Sequence, residues 1–456
     1  YYFSANYPEA AKWYGQLLEI NEVAEPEIYF RYSNSLKSIG EAEKADLYMK
    51  KFIQSNKSDS RAIRFNNNPN YLKTIEQEKD KFSIGTVNFN SSYSDFGVAF
   101  WQNDLIFGSN RPERLAHVKL SSWDGQPLSA LFYTNNDKVK SFKNLTAKFN
   151  ISTPVFTKDN NTVYFTQNNV VDNKRAFSDD NSTLLKIYKA EFLNGNWTNV
   201  EELPFNSNNY SCAHPALSAD EKTLYFASDM PGTLGDSDIF KVSILANGNY
   251  GKPENLGSKI NTEAKESFPF LVSNNEFFFS SNGHLGLGGL DIFRLKLDES
   301  DAAVENIGEP VNSAFDDFAV FINEDLKTGY FSSNRPGGLG FDDIYAITDI
   351  YRAPKIIPYT QSFSGAVTDR LLQKPISNAK ITIFDSQFNP LKHTFTAANG
   401  TYILPEISGE PGEIVYIRAE HEDYITNEQR VMLPEESGET KVDIKLEQRI
   451  VQVGRG

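Results

Sequence analysis

The chain has one cysteine, Cys212, in 456 residues, so neither an intrachain disulfide nor a cysteine metal cluster can form. Long apolar runs are also missing; none approaches the ~18–20 residues of a membrane helix. Positive charge is in deficit: 45 Lys and Arg stand against 60 Asp and Glu, a formal net charge of −15 spread along the chain. That argues against nucleic acid, whose phosphates need a Lys/Arg stripe, and against a basic helix lying on a membrane. The five histidines, His117, His214, His284, His393 and His421, show no HExxH or HxH spacing. No GxSxG elbow is present. The run LGLGG (285–289) lacks the Lys-Ser/Thr of a phosphate loop. Carboxylate pairs such as Glu201–Glu202 and Asp316–Asp317 are ordinary in an acidic chain and make no glycosidase site by themselves. The expectation is a protein that is not an enzyme and takes no cofactor or metal. The opening YYFSANYPEA has no basic start, no apolar stretch and no Met. It reads as lying downstream of the true N-terminus, and the final VQVGRG reads as the start of a linker.

What is abundant is aromatic: 34 Phe and 22 Tyr, which suits half-buried strands. One phrase recurs. Residues 332–345 read SSNRPGGLGFDDIY, residues 280–293 read SSNGHLGLGGLDIF, and residues 227–240 read ASDMPGTLGDSDIF. In each, the first residue precedes an Asp by eleven positions. A catalytic loop needs no siblings, so repetition points to architecture. The aromatic strands LIFGS (105–109), TVYFT (162–166), TLYFA (223–227), EFFFS (276–280) and GYFSS (329–333) recur at roughly 52–61 residues. A third strand follows each: ALFYT, KIYKA, DIFKV, DIFRL and DIYAI. With a weak fourth segment this is the content of a propeller blade. The last copy lacks a fourth strand, and KFSIGTVNFN (81–90) supplies one from the N-terminal side. The expectation is a five-bladed ring closed by that segment, or six blades if residues 61–80 add strands. In the repeated loop, Gly337, Gly338 and Gly340 permit a tight turn. Asp238, Asp291 and Asp343 are expected to accept hydrogen bonds from loop amides or Ser hydroxyls. Calcium at Asp342–Asp343 or Asp236–Asp238 would want more oxygens than these pairs supply. Arg111 and Arg335 follow Ser-Asn and are expected to pair with a nearby Asp.

Residues 1–70 carry helical periodicity. Ala11 and Ala45, Tyr14 and Tyr48, and Leu18 and Phe52 are each 34 residues apart, the tetratricopeptide period. From 351 the texture changes: YRAPKIIPYTQ reads as a linker, and short alternating segments follow to the end. The reading is a multidomain, mainly β chain: tetratricopeptide-like helices over 1–70, a β-propeller over 71–350, a linker over 351–360 and a small β-sandwich over 361–450. Trp101 and Trp123, in WQNDL and SSWDGQPL, are candidate partner contacts, as are the helix-borne Tyr14 and Tyr48; packing within the first blade is the plain alternative for both Trp.

SSNRPGGLGFDDIY and TLYFASDMPG resemble the WD40-like (PD40) repeats of TolB-type propellers. FSGAVTDRLLQKPISNAKITIFD followed by TAANGTY is similar to carboxypeptidase regulatory-like domains. The order of the three regions resembles the OmpA-tailed lipoproteins of Bacteroidota, the PorE family of the type IX secretion and gliding machinery. The resemblance implies a non-catalytic periplasmic scaffold associated with the outer membrane. It would hold an outer-membrane β-barrel protein (PorP/SprF-like) and reach peptidoglycan through an OmpA-like domain. Neither that domain nor a lipidated cysteine is in these residues, and Cys212 lies inside a repeat. A second reading is a glycan- or peptide-binding sensor that uses the propeller channel.

Overall fold

The computed structural model describes residues 1–20, 24–79, 81–112, 118–121, 125–135, 138–142, 145, 149–171, 174–272, 276–299, 301–323, 328–349 and 360–449. It divides into two compact units, Tyr1–Ala353 and Pro354–Gly456.

The first unit begins with helices α1 (Tyr7–Ile20), α2 (Pro26–Ser38), α3 (Ala42–Ser55), α4 (Ser60–Asn67) and α5 (Tyr71–Gln77). Small Ala11 and Ala45 are buried together with Tyr32 and Leu36, so three helices approach closely. Gly40, at φ 81°, turns the chain between α2 and α3. The Asp59 carboxylate caps α4 through the Arg61 amide. Arg61 is buried and bonds both Asp59 and Glu27. The helices run past residue 70, because Tyr71 and Ile75 complete their apolar face. The described residues 61–79 are therefore helix, turn and loop and contribute no strand.

Residues 82–349 hold five four-stranded antiparallel sheets among the described residues. The first contains Asp95–Trp101, Asp104–Ser109, Ala130–Asn135 and Lys138–Ser141, in that order. The second contains Ile151–Phe156, Thr162–Asn168, Leu185–Leu193 and Asn196–Glu202. The third runs Cys212–Leu217, Thr223–Ser228, Asp238–Ser243 and Glu254–Asn255, and the fourth Glu266–Leu271, Glu276–Ser281, Asp291–Lys296 and Glu305–Asn306. In the fifth, Asp317–Asn323, Thr328–Ser333 and Asp343–Asp349 are completed by Phe82–Thr86, with Phe82 opposite Asp349 and Thr86 opposite Tyr345. The first strands of successive sheets touch in a closed cycle, the fifth returning to the first. Central aromatics such as Phe107, Phe165, Phe226, Phe279 and Phe331 are fully buried between sheets.

Among the described residues, a side-chain clip joins four of the five sheets to the segment that leads to the next. The Asn312 amide accepts from Ile292 N and donates to Ile292 O, both at 2.8 Å. Asn206 does the same to Ile187, Asn261 to Ile239, and Asn90 to Ile344. An Asn amide here copies a strand neighbour for one residue. Because Asn90 follows the N-terminal strand, the fourth clip fastens the ring. Asn90→Ala is expected to cost about 2 kcal/mol, read as a lower urea midpoint for the first unit; an unchanged midpoint would mean that the clip adds nothing to closure.

The second unit has two sheets around one core. Thr360–Asp369 pairs antiparallel with Thr401–Ser408 and parallel with Gly438–Lys441 and Ile444–Gln448. Lys380–Phe384 lies between Pro390–Phe395 and Ile414–Glu420, which in turn pairs Asn427–Met432. Phe363, Val367, Ile381, Ile383, Leu404 and Ile417 fill the space between them.

Candidate functional site

The five first strands are sheet edges that face one another around an axis. Each carries one residue in the left-handed region: Gly97 at φ 67°, Thr153 at 45°, His214 at 56°, Phe268 at 49° and Ala319 at 53°. At each of these points the pairing with the second strand slips by one residue, which marks a bulge that bends the edge. Pro154, Pro215 and Pro269 follow three of them, which suits edges with no ladder to donate to. His214 N donates to Thr166 Oγ1 at 2.8 Å, and Gly97 N to Ser332 Oγ at 3.1 Å, so bulge amides bond the preceding sheet. On the side away from the repeated loops, the strands enclose a cavity of about 260 Å³ lined by Phe100, Phe156, Leu217, Phe270, Phe321 and the three prolines. Its inner end is filled by rings packed at a tilt: His214 lies 3.7 Å from Phe268, and Phe268 5.0 Å from Phe318, centroid to centroid. Burial pushes the His214 imidazole down to about 3, so it is neutral and packs as an aromatic ring.

The opposite end of the axis faces the helices and is polar. A cup of about 650 Å³ opens there, lined by amides of Asn110, Gln126, Asn150 and Asn334, by Ser94 and Ser129, and by the rings of Phe96 and Phe341. Residues Ser4 to Asn6 and Pro8 form one wall. Acids lie at its wall and behind it. Asp316 accepts from Tyr7 Oη, Leu290 N and Asn334 Nδ2. Asp317 meets Arg335 and the Ser313 amide and hydroxyl. Glu266 accepts from Thr262 N, Thr262 Oγ1 and Ser281 Oγ. Burial pushes Glu266 up to about 7 despite these bonds. Behind them, burial pushes His284 down to about 3, with the Arg64 charge adding to it; its Nε2 lies 2.8 Å from Ile260 O.

These two groups make opposite demands on pH. A folded His284 refuses the proton that an unfolded one takes near 6.5, so its stabilisation is present above 6.5 and lost as pH falls. A folded Glu266 keeps the proton that an unfolded one releases, so its stabilisation is present at low pH and lost as pH rises through about 7. Relative to the parent chain, His284→Phe should gain about 2 kcal/mol between pH 6.5 and 5, and Glu266→Gln should lose a similar amount between pH 7 and 5. Thermal melts of the three proteins across that range test this; parallel profiles would remove both groups from the titration.

The repeated loops surround the cup end. Asp291 Oδ2 accepts from Leu287 N and Gly288 N, Asp343 Oδ2 from Gly340 N, and Asp238 Oδ2 from Leu234 N and Asn255 Nδ2. Each loop Asp thus ties its own loop. The sequence reason for the glycines needs a correction. Only Gly337 of the three has a positive φ, 97°. Gly338 and Gly340 are required by close approach: a Cβ at Gly338 would lie 1.9 Å from Asp343 Oδ2, and one at Gly340 1.9 Å from Tyr93 O. Arg111 and Arg335 pair with Asp95 and Asp317. Trp101 packs among Phe142, Phe156, Phe192 and Trp197, and its Nε1 donates to Asn160 O at 3.1 Å. Trp123 lies outside the described residues. Tyr14 and Tyr48 are part-buried on either side of Tyr32. The cup residues and the bulges carry no shared sequence signal, except that Asn110 and Asn334 each follow a Ser. Asn168, Asn282 and Asn334 each accept from the amide of the residue preceding a first strand. Among the described residues no three His, Cys, Asp or Glu gather as metal ligands.

No family model and no curated protein matches the chain. Solved structures do. A TolB from Agrobacterium tumefaciens aligns at 12% identity over 71% of this chain and 84% of its own, with a TM-score of 0.36. TolB from Acinetobacter baumannii aligns at 14% identity over 62% of this chain and 61% of its own, TM-score 0.33. A thermostable family-43 glycoside hydrolase aligns at 12% identity over 58% of this chain and 91% of its own, TM-score 0.38. The chain is mainly β and is similar, at this low level, to TolB-like structures of the propeller type.

Proposed function

We propose that the chain is a non-catalytic scaffold: tetratricopeptide-like helices and a five-bladed PD40 propeller that together present a surface to another protein. One observation carries this reading. Leu234, Leu287 and Leu339 occupy the same place in three copies of the repeated loop. Leu287 packs under the chain's own helices with Tyr29, Phe65 and Tyr71. Leu234 and Leu339 remain 48% and 68% exposed. The face thus carries three equivalent apolar contacts, of which the chain covers one, and uncovered apolar positions beside a packed interface are where a partner gains most. The buried acids support the non-catalytic reading, since each already holds loop amides, hydroxyls or an arginine. With the sequence resemblance, the partner is an outer-membrane β-barrel protein of type IX secretion or gliding, the location the periplasmic side of that membrane, and the link to peptidoglycan an OmpA-like domain. The test is co-purification from gently solubilised outer membrane, comparing the parent with Leu234→Glu/Leu339→Glu. A single stoichiometric barrel protein retained by the parent and lost by the double variant is expected. Recovery of no barrel protein, or equal recovery by both chains, overturns the proposal.

A further inference from the structure

We propose that the polar cup at the helix-side end of the ring binds a neutral saccharide. This goes beyond the scaffold reading and uses other residues. The wall chemistry selects the ligand class. Among the described residues no Lys or Arg lines the cup, so a phosphate or carboxylate would enter without a counter-charge from them. Of its two acids, Asp316 is taken up by Tyr7, Leu290 N and Asn334, so a cation finds no converging oxygens. What remains is amide and hydroxyl.

Two of the amides are held in a fixed orientation with one end open. Asn110 donates its Nδ2 to Pro127 O, which leaves Oδ1 as an acceptor toward the cup. Asn150 accepts Ser129 N on Oδ1 at 2.8 Å, which leaves Nδ2 as a donor. Neither open atom has a protein partner among the described residues. A fixed acceptor and a fixed donor in one small cup match neighbouring sugar hydroxyls, each of which both donates and accepts. Because the protein already sets the amide rotamers, little ordering is left to the binding step. The rings of Phe96 and Phe341 offer apolar faces for the C–H side of a pyranose. At about 650 Å³ the volume falls in the range of small-ligand sites, and Ser4, Asn6 and Pro8 from the helical segment close one side. An apolar ligand has no claim on this end; the apolar lining belongs to the far end of the same axis.

The experiment is saturation-transfer NMR and calorimetry on the full chain with cellobiose, maltose and N,N′-diacetylchitobiose, and with glucose 6-phosphate as the charged probe. At least one neutral disaccharide is expected to bind with a dissociation constant of about 1 mM or tighter, and glucose 6-phosphate more weakly. Phe341 is 62% exposed, so Phe341→Ala keeps the fold; it and Asn150→Ala should each weaken binding at least about fivefold. If none of the three disaccharides binds at about 10 mM, if Phe341→Ala binds unchanged, or if glucose 6-phosphate binds best, the assignment is wrong. The barrel co-purification does not depend on any of these outcomes, so the two proposals fail separately.

Discussion

Gly340→Ala is expected to prevent stable folding of the first unit, while Gly337→Ala three residues earlier leaves it folded. A Cβ at Gly340 would stand 1.9 Å from Tyr93 O and 2.8 Å from Ser91 O. Both are backbone atoms of the segment entering the first sheet, so nothing can swing aside. Gly288 and Gly235 hold the same place in their loops, and a Cβ there would lie 2.2 Å from Ala314 C and 2.3 Å from Glu263 C. Each of these glycines is where one sheet's loop lies against the entry to the next, so the clash would force neighbouring sheets apart. A loss above about 4 kcal/mol is expected at each. Gly337 has a positive φ but nothing within 4 Å of its Cβ, so alanine there costs only about 1–2 kcal/mol of backbone strain. Urea unfolding and soluble yield separate the two classes. Equal midpoints for Gly337→Ala and Gly340→Ala would show that the sheets are not held by this approach.

The second large effect is at Arg335. Its guanidinium bonds Asp317, Ser333 Oγ, Pro310 O and Val311 O, and stacks 5.0 Å from the Phe331 ring. Asp317 is fully buried. Burial raises its carboxyl to about 6 even with Arg335 pulling it down. Arg335→Met strands a buried charge, and at pH 8 the expected cost is about 3–5 kcal/mol. The carboxyl's own pKa then climbs further. Below pH 6 it takes a proton in the folded state, and the cost should shrink to what the lost packing and carbonyl bonds account for. The double change Asp317→Asn with Arg335→Met should recover part of the loss at pH 8 and none at pH 5. Lysine should not rescue, because one ammonium cannot reach four partners in a plane. A penalty that stays constant from pH 8 to 5 would remove the charge from the explanation.

Much of the sheet segment could be read from letters because its determinants are letters at fixed spacing. The Phe of each second strand, the loop Asp and the Gly that faces the next sheet all recur where geometry demands them. The segment 81–90 stood out as a strand without a hairpin of its own, and Phe82–Thr86 is the strand that completes the fifth sheet. The bulges could not be found this way. Gly97, Thr153, His214, Phe268 and Ala319 share a backbone angle and no side-chain chemistry, and the proline that follows three of them is absent after Gly97 and Ala319. The Asn clips are regular in space but stand at unequal distances from their targets, as Asn206 with Ile187 and Asn261 with Ile239 show. The cup is assembled from Asn6, Asn110, Asn150 and Asn334, which come together only when the ring closes. Trp101 illustrates the opposite difficulty: an aromatic between polar residues looks available, yet packing between two sheets claims it.

The strand that completes the fifth sheet has a consequence in time. Asn90 and Ile344 are 254 residues apart, and the strand Phe82–Thr86 precedes every other strand of the ring. During synthesis it leaves the ribosome first and meets its partner last. At about 5–20 residues per second, its unpaired edge waits for at least ten seconds or so while four sheets form behind it. Loop closure over such a span is entropically slow, so an exposed edge of this kind invites pairing with another nascent chain. The order of assembly, with the first-made strand docking last, predicts that refolding from denaturant aggregates more readily as protein concentration rises, and that a chain lacking residues 82–90 carries that open edge permanently.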